Sequence, residues 1–434
     1  MPESPTPSAD AAPAVRTAPV LTVASLCTAT ITVEGYDLIV YGVALPSLST
    51  EPGWGMNAGQ IGMLGSLAYV GMLVGALVCG HLSDRWGRRR LILASIAVFT
   101  VCTGACAVAT APWQFGALRL LAGVGMGGVM PSVVALTKEF APRRRASLIV
   151  TLVLAGIPVG GSIAALTAAL WLPLLGWRGL FAVGAALSVG VLALVLWRLP
   201  ESGAHGDAHP VSAPHPRGTV TRELLVGRRG AATLLFVLAN FTILLTWYGL
   251  NTWLTQLMRE MDYPLGSALR FTLILNLGAV LGSFVLAAAA DRLGRPRLVA
   301  AVAAALTACS VVALLLGSAG TGALLASTAL AGVGAQSALT MMNASVSATY
   351  PRRIRATALG WVSGFGRIGA IAAPLVGGWI LQAALGPVAV FAAFAVSAAL
   401  SAVFFAAVPL RERELGTPGP VAAEPTPKAQ ARTR

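Results

Sequence analysis

Charge is what this sequence has least of. Of its 434 residues only 11% are Asp, Glu, Lys or Arg, and 16 are acidic, against about 25% charged in an average soluble domain. So little charge beside 56% hydrophobic residues excludes an ordinary soluble fold and leaves a polytopic membrane protein. Histidine is scarce as well. Three of the four histidines, His205, His209 and His215, crowd one polar stretch that reads as solvated linker rather than metal tract. The five cysteines (Cys27, Cys79, Cys102, Cys106, Cys309) all lie in apolar segments. Cys102 and Cys106 are four apart but have no His or acid beside them, so they read as small core residues. The chain has no phosphate-binding loop, metal cluster or nucleophile constellation. It is therefore expected to be no enzyme and to need no metal or cofactor. Its glycine-rich run from Gly123 to Gly128 sits inside an apolar segment, where glycine serves close helix packing.

What the sequence has instead is long apolar runs. A membrane span needs about 20 apolar residues, and such runs occur at 21–48, 58–82, 91–111, 113–138, 146–171, 178–199, 231–257, 266–290, 297–316, 320–348, 355–382 and 386–409. Unbroken runs of this length are helices, since barrel strands alternate over about 10 residues. The fold class is thus all-α membrane protein with twelve transmembrane helices.

The formal charge of +14 does not point to nucleic acid, because its distribution is topological. Arg85, Arg88, Arg89 and Arg90 follow the second run, Lys138, Arg143, Arg144 and Arg145 the fourth, and Arg217, Arg222, Arg228 and Arg229 the sixth. Arg292, Arg295 and Arg297 follow the eighth, Arg352, Arg353 and Arg355 the tenth, and Arg411 and Arg413 the twelfth. The alternate loops carry few basic residues. This pattern places the N and C termini in the cytoplasm. Residues 1–20 have no cleavable signal and are expected, like 410–434, to be disordered cytoplasmic tails.

The second half of the chain repeats the first. Leu121-Ala122-Gly123-Val124-Gly125 recurs as Leu330-Ala331-Gly332-Val333-Gly334, and Pro142-Arg143-Arg144 as Pro351-Arg352-Arg353, both at an offset of 209. Asp84-Arg85-Trp86-Gly87-Arg88 recurs at an offset of 207 as Asp291-Arg292-Leu293-Gly294-Arg295. An even number of spans per repeat makes the repeats parallel. The expected domains are two six-helix bundles, 21–199 and 231–409, joined by a partly disordered cytoplasmic linker at 200–230.

One acidic pair interrupts the first apolar run. In Glu34-Gly35-Tyr36-Asp37 the acids sit at i and i+3, about 4.5 Å apart in height on one helical face. A charge at mid-membrane costs at least ~2.5 kcal/mol, so such residues usually face a cavity and do work. Two acids this close do not both ionise easily in low dielectric, which describes a proton site. A lone buried arginine, Arg367, lies at comparable depth in the eleventh run and needs an anion; a substrate carboxylate supplies one. Arg119, nearer the outer end of the fourth run, can pair either with Asp37 or with the substrate. Trp247 and Asn251, at i and i+4, offer a stacking face and an amide on one wall, and Tyr36 and Tyr41 offer further rings. Trp253 reads as an interfacial anchor, and Trp361 and Phe365 either as cavity or as lipid-facing rings.

Gly80-His81-Leu82-Ser83-Asp84-Arg85-Trp86-Gly87-Arg88-Arg89 matches the G-x-x-x-D-R-x-G-R-R signature of the major facilitator superfamily, and the resemblance covers residues 21–409. It implies the major facilitator fold and alternating access. Gly80, Asp84, Arg85, Gly87, Arg88 and Arg89, with Asp291 and Arg292 in the repeat, are then gating residues whose ion pairs across the halves bias one rocking state. Glu34-Gly35-Tyr36-Asp37, with Tyr41-Gly42 after it, resembles the D-G-x-D motif of the aromatic acid:proton symporter family, departing from it in Glu34 for Asp. Arg119 before the helix-4 glycines and Gly366-Arg367-Ile368-Gly369 look like that family too. The resemblance implies import of a benzoate- or hydroxybenzoate-type anion with a proton, by a functional monomer in the bacterial inner membrane. Asp37 and Glu34 would couple the proton, and Arg367, Arg119, Tyr41, Trp247 and Asn251 would bind substrate. The alternative is a proton-driven efflux antiporter for a drug or secondary metabolite. Such carriers have a G-P-x-x-G-G type sequence in helix 5, which Gly156-Ile157-Pro158-Val159-Gly160-Gly161 approaches with one residue missing.

Overall fold

The computed structural model describes residues 20–142, 145–199, 223–316 and 320–409, apart from the side chains at Gly80, His81, Ser83, Asp84, Arg85, Ser147 and Arg352. Both expected tails and most of the expected linker, with its three histidines, lie outside the described residues. The helices are α1 (Val20–Leu48), α2 (Ala58–Trp86), α3 (Arg88–Cys106), α4 (Pro112–Phe140), α5 (Ala146–Leu154) and α6 (Gly156–Arg198), then α7 (Gly227–Glu260), α8 (Leu265–Leu293), α9 (Pro296–Leu316), α10 (Thr321–Thr349), α11 (Arg352–Gln382) and α12 (Gly386–Ala407). No strand occurs among the described residues. At 43 residues, α6 would measure about 65 Å if straight, twice the apolar thickness of a bilayer. It reverses at Gly176, where φ is 62° and ψ is −172°. With α5 leading into its first part, α6 therefore supplies two crossings, and the chain has twelve membrane-length segments.

α1 to α6 pack on one another, α7 to α12 do likewise, and the two groups meet along α1–α7, α2–α11 and α6–α8. These seams close at the end that carries Glu51. A Cβ on Gly42 would collide with the Asn251 carbonyl oxygen, and one on Gly161 with the Asn276 amide. One on Gly62 would collide with the Pro374 carbonyl oxygen. Ser66 Oγ donates to the Ile371 carbonyl at 2.8 Å. The indole N–H of Trp253 donates to the Pro374 carbonyl at 3.1 Å. Trp253 is thus buried within the second half and not the interfacial anchor expected, because Pro374 leaves a carbonyl for it inside that bundle. Gly42→Ala should keep this seam from closing. A cysteine introduced as Thr252→Cys, on a background lacking exposed Cys309, should then react with a membrane-impermeant thiol reagent about tenfold faster than without Gly42→Ala.

At the opposite end the repeat is visible in backbone geometry. Gly87 and Gly294, 207 apart, both adopt positive φ (81° and 62°) between consecutive helices, a conformation that any side chain would strain. Arg89 donates to the Leu199 carbonyl at 2.7 Å, and Arg297 to the Val408 carbonyl at 3.0 Å. Leu199 and Val408 stand 209 apart, so in each half an arginine satisfies an orphan carbonyl of the last helix.

Candidate functional site

The acidic motif on α1 is assembled by close packing. Gly35 lets the backbone of Ile157 lie directly against α1, where any Cβ would collide. Tyr36 is turned into the first half, its hydroxyl donating to the Leu180 carbonyl at 2.9 Å. Asp37, 1% exposed, accepts from Arg119 Nη1 at 2.7 Å and from Thr103 Oγ1 at 2.5 Å. Arg119 also donates to the Asp37 carbonyl at 3.2 Å and stands over the rings of Tyr41 and Phe181 at 5.8 and 5.9 Å. It is 1% exposed. Arg119 and Asp37 thus form an ion pair internal to the first half, which answers the alternative left open for Arg119. Glu34 differs sharply. It is 0% exposed, and neither carboxylate oxygen has a hydrogen-bond partner. Arg367 and Asp37 are the charges whose fields reach it.

Between the halves lies a cavity of ≈ 180 Å³. For scale, an engineered apolar cavity of about 150 Å³ holds one benzene, so this space suits a single substituted ring. Tyr69, Trp247 and Tyr248 supply aromatic wall, with Tyr69 and Tyr248 in ring contact at 4.7 Å. Asn240, Gln336, Thr340, Asn343 and Ser363 supply polar groups, and Arg367 is the one charged side chain in the lining. Arg367 reaches the Met72 carbonyl only at 3.4 Å and has no carboxylate partner among the described residues. The cavity lies on the arginine-loop side of the closed seams, and Asn343, nearly two turns from the end of α10, is exposed there.

Of the residues expected to touch substrate, Arg367 and Trp247 line the cavity. The others are committed elsewhere. The Tyr41 hydroxyl donates to the Ile61 carbonyl at 2.6 Å, and Arg119 is held by Asp37. Asn251 donates to the Trp247 carbonyl at 3.0 Å and accepts from Asn276 at 2.9 Å. Trp361 and Phe365 stack on each other at 5.1 Å outside the lining. Gln336 and Asn343 were not anticipated, yet Gln336, Thr340 and Asn343 at i, i+4 and i+7 draw a polar stripe on an apolar helix.

Among the expected gating residues, Arg88 pairs with Glu139 at 2.8 Å, and Arg89 donates to the Leu196 and Leu199 carbonyls. These partners belong to the same half. Asp291 and Arg292 end α8 in exposed positions. The side chains of Gly80, Asp84 and Arg85 lie outside the described residues.

Comparison with known proteins places this geometry. The Major Facilitator Superfamily model matches residues 27–285 and 271–434. The gentisate transporter of Corynebacterium glutamicum is 41% identical over 373 residues, covering 85% of this chain and 83% of that protein. The benzoate transport protein of Acinetobacter baylyi is 32% identical over 416 residues, covering 87% of each. Among solved structures, a D-xylose-proton symporter superposes with a TM-score of 0.73 at 17% identity, over 89% of this chain and 97% of that one. The chain is therefore a multi-pass membrane transporter and not an enzyme, and it belongs to the major facilitator superfamily and, within it, to the aromatic acid transporters.

Proposed function

We propose that this chain imports a small aromatic carboxylate of the benzoate or hydroxybenzoate type together with a proton, by alternating access across a bacterial inner membrane, as a monomer. The observation that carries this reading is Arg367, a cation without a carboxylate partner among the described residues, set in a ring-sized cavity walled by Tyr69, Trp247 and Tyr248. A guanidinium matches a carboxylate bidentately, and Arg367, part-buried in the cavity wall, is placed to make that charge-assisted pairing. The names of the gentisate and benzoate relatives support the same substrate class. The loop arginines mark the open end as cytoplasmic, so this arrangement faces inward.

The acids divide their work. Asp37 is held by Arg119 and Thr103 and keeps the first half together. Glu34, buried and without a hydrogen-bond partner, is the carboxyl for which a proton removes a charge that no hydrogen bond holds once the substrate anion occupies Arg367. It is the proton carrier in this reading. The glycines near Pro158 serve packing of α6 on α1, with Gly160 against the Thr32 carbonyl, and need no antiporter role.

The test is uptake of labelled benzoate, 3-hydroxybenzoate and 2,5-dihydroxybenzoate into proteoliposomes under an imposed inward-acid gradient. Accumulation above the external concentration is expected. Arg367→Ala should lower uptake at subsaturating substrate about 100-fold, since it removes the charged partner of the substrate carboxylate. No accumulation of any of these acids, or full activity of Arg367→Ala, would sink the reading.

A further inference from the structure

Gln336 is a buried amide at the level of Arg367 with no structural employment. It stands 13 residues from the end of α10 and Arg367 stands 15 from the start of α11. The two helices are consecutive and antiparallel, joined at that end, so the residues sit about 20 and 22 Å deep, almost level. Both line the cavity. Gln336 is 7% exposed, and its side chain makes no hydrogen bond to the described protein residues, its main-chain carbonyl alone accepting from Thr340 at 2.9 Å. Neighbouring polar groups are differently spent. Asn240 gives its amide N–H to the Val362 carbonyl at 2.9 Å, and Asn276 gives its own to Asn251. Water completes such an amide while the cavity is empty, but a bound ring that displaces the water without offering a partner leaves it unpaired, which is costly.

We propose that Gln336 reads a ring hydroxyl of the substrate whose carboxylate Arg367 holds, so that the carrier selects hydroxylated over unsubstituted benzoates. The inference rests on the aromatic-carboxylate reading above. A phenol both donates and accepts, and so does a glutamine amide, so the pair is satisfied with the amide in either orientation. Benzoate fills the same ring space but leaves Gln336 unpaired. The discrimination comes from that penalty, the way a site built for a hydroxyl rejects the analogue lacking one. Ser363 and Asn343 continue the polar lining and accommodate a second ring hydroxyl.

The experiment is calorimetric titration of the purified full-length carrier with benzoate, 3-hydroxybenzoate and 2,5-dihydroxybenzoate, repeated on Gln336→Met. In the unaltered protein the hydroxylated acids are expected to bind about tenfold tighter than benzoate. Gln336→Met should bring all three within about threefold of one another, with benzoate binding at least as tightly as to the unaltered protein because the unpaired amide is gone, which also shows that the variant is folded. Equal affinities in the unaltered protein would overturn the inference and leave the aromatic-acid reading intact. So would a Gln336→Met variant that weakens all three acids equally or leaves the tenfold preference in place. Binding of none of the three would overturn the aromatic-acid reading itself, and the inference with it.

Discussion

Asp37→Asn is expected to unfold the first half of the carrier rather than merely slow it. The substitution leaves Arg119, 1% exposed, with no carboxylate partner. Breaking a buried ion pair from one side costs about 3–5 kcal/mol, a large share of a domain's stability. The amide oxygen of the substituted side chain and the main-chain carbonyl at 3.2 Å can still accept from Arg119 but carry no charge, and its Nε already lacks a partner. The rings of Tyr41 and Phe181 beneath it offset only a part. Detergent-purified Asp37→Asn should therefore show a strongly lowered melting temperature and a loss of monodisperse material. The double variant Asp37→Asn, Arg119→Gln removes both charges and should recover most of the stability, since neutral replacements of a buried pair are often harmless. An Asp37→Asn protein as stable as the unaltered one would mean that the pair is not what holds α1, α3 and α4 together. Asp37 would then be free to exchange protons in the cycle.

The fate of Asp37 also shows how far the sequence could be read. Hydropathy located the crossings because a bilayer demands long apolar helices whatever their partners. The repeat located Gly87 and Gly294 because both turns need a positive φ. Side-chain partnerships were less accessible. Glu34 and Asp37 lie three residues apart, which on a helix is 60° of rotation. In a bundle that difference is enough to send Asp37 toward Thr103 and Arg119 and leave Glu34 in reach of the Arg367 field. Whether Arg119 or Arg367 was the free cation depended on the rotational phases of α1, α4 and α11, which no single-chain pattern fixes. Trp253 illustrates the same limit. Its amphipathic ring suits an interface, yet Pro374 on a distant segment offers it a carbonyl inside the second bundle. Gln336 was visible as a polar residue in an apolar run, but its lack of a partner is a property of the fold.

Glu34→Gln should leave a folded carrier that exchanges substrate across the membrane but no longer accumulates it. The reason lies in the charges that must move through a low-dielectric seam. Arg119 and Asp37 cancel in every state. With the cavity empty and Glu34 ionised, Arg367 and Glu34 also cancel. With substrate on Arg367 and a proton on Glu34 the sum is again zero. The half-loaded forms are the charged ones: anion alone leaves one negative charge, proton alone one positive. An uncompensated charge at this depth costs at least ~2.5 kcal/mol, so each half-loaded form is populated in the reorienting state about 70-fold less or lower. The two neutral forms are thus the ones that reorient, and one proton travels with each monoanion. Glu34→Gln fixes the site in its proton-bearing charge state. Its loaded form stays neutral and shuttles, so counterflow of labelled 3-hydroxybenzoate should continue near the normal rate. Its empty form carries a net positive charge and returns slowly, so net uptake driven by an acid gradient should fall about 70-fold, in step with that penalty. Uptake by the unaltered carrier should follow the pH gradient and be indifferent to an imposed membrane potential, because the transported pair is neutral. A Glu34→Gln variant that still accumulates substrate against a gradient would move the proton to another group, and potential-driven uptake in the unaltered protein would overturn the one-to-one accounting.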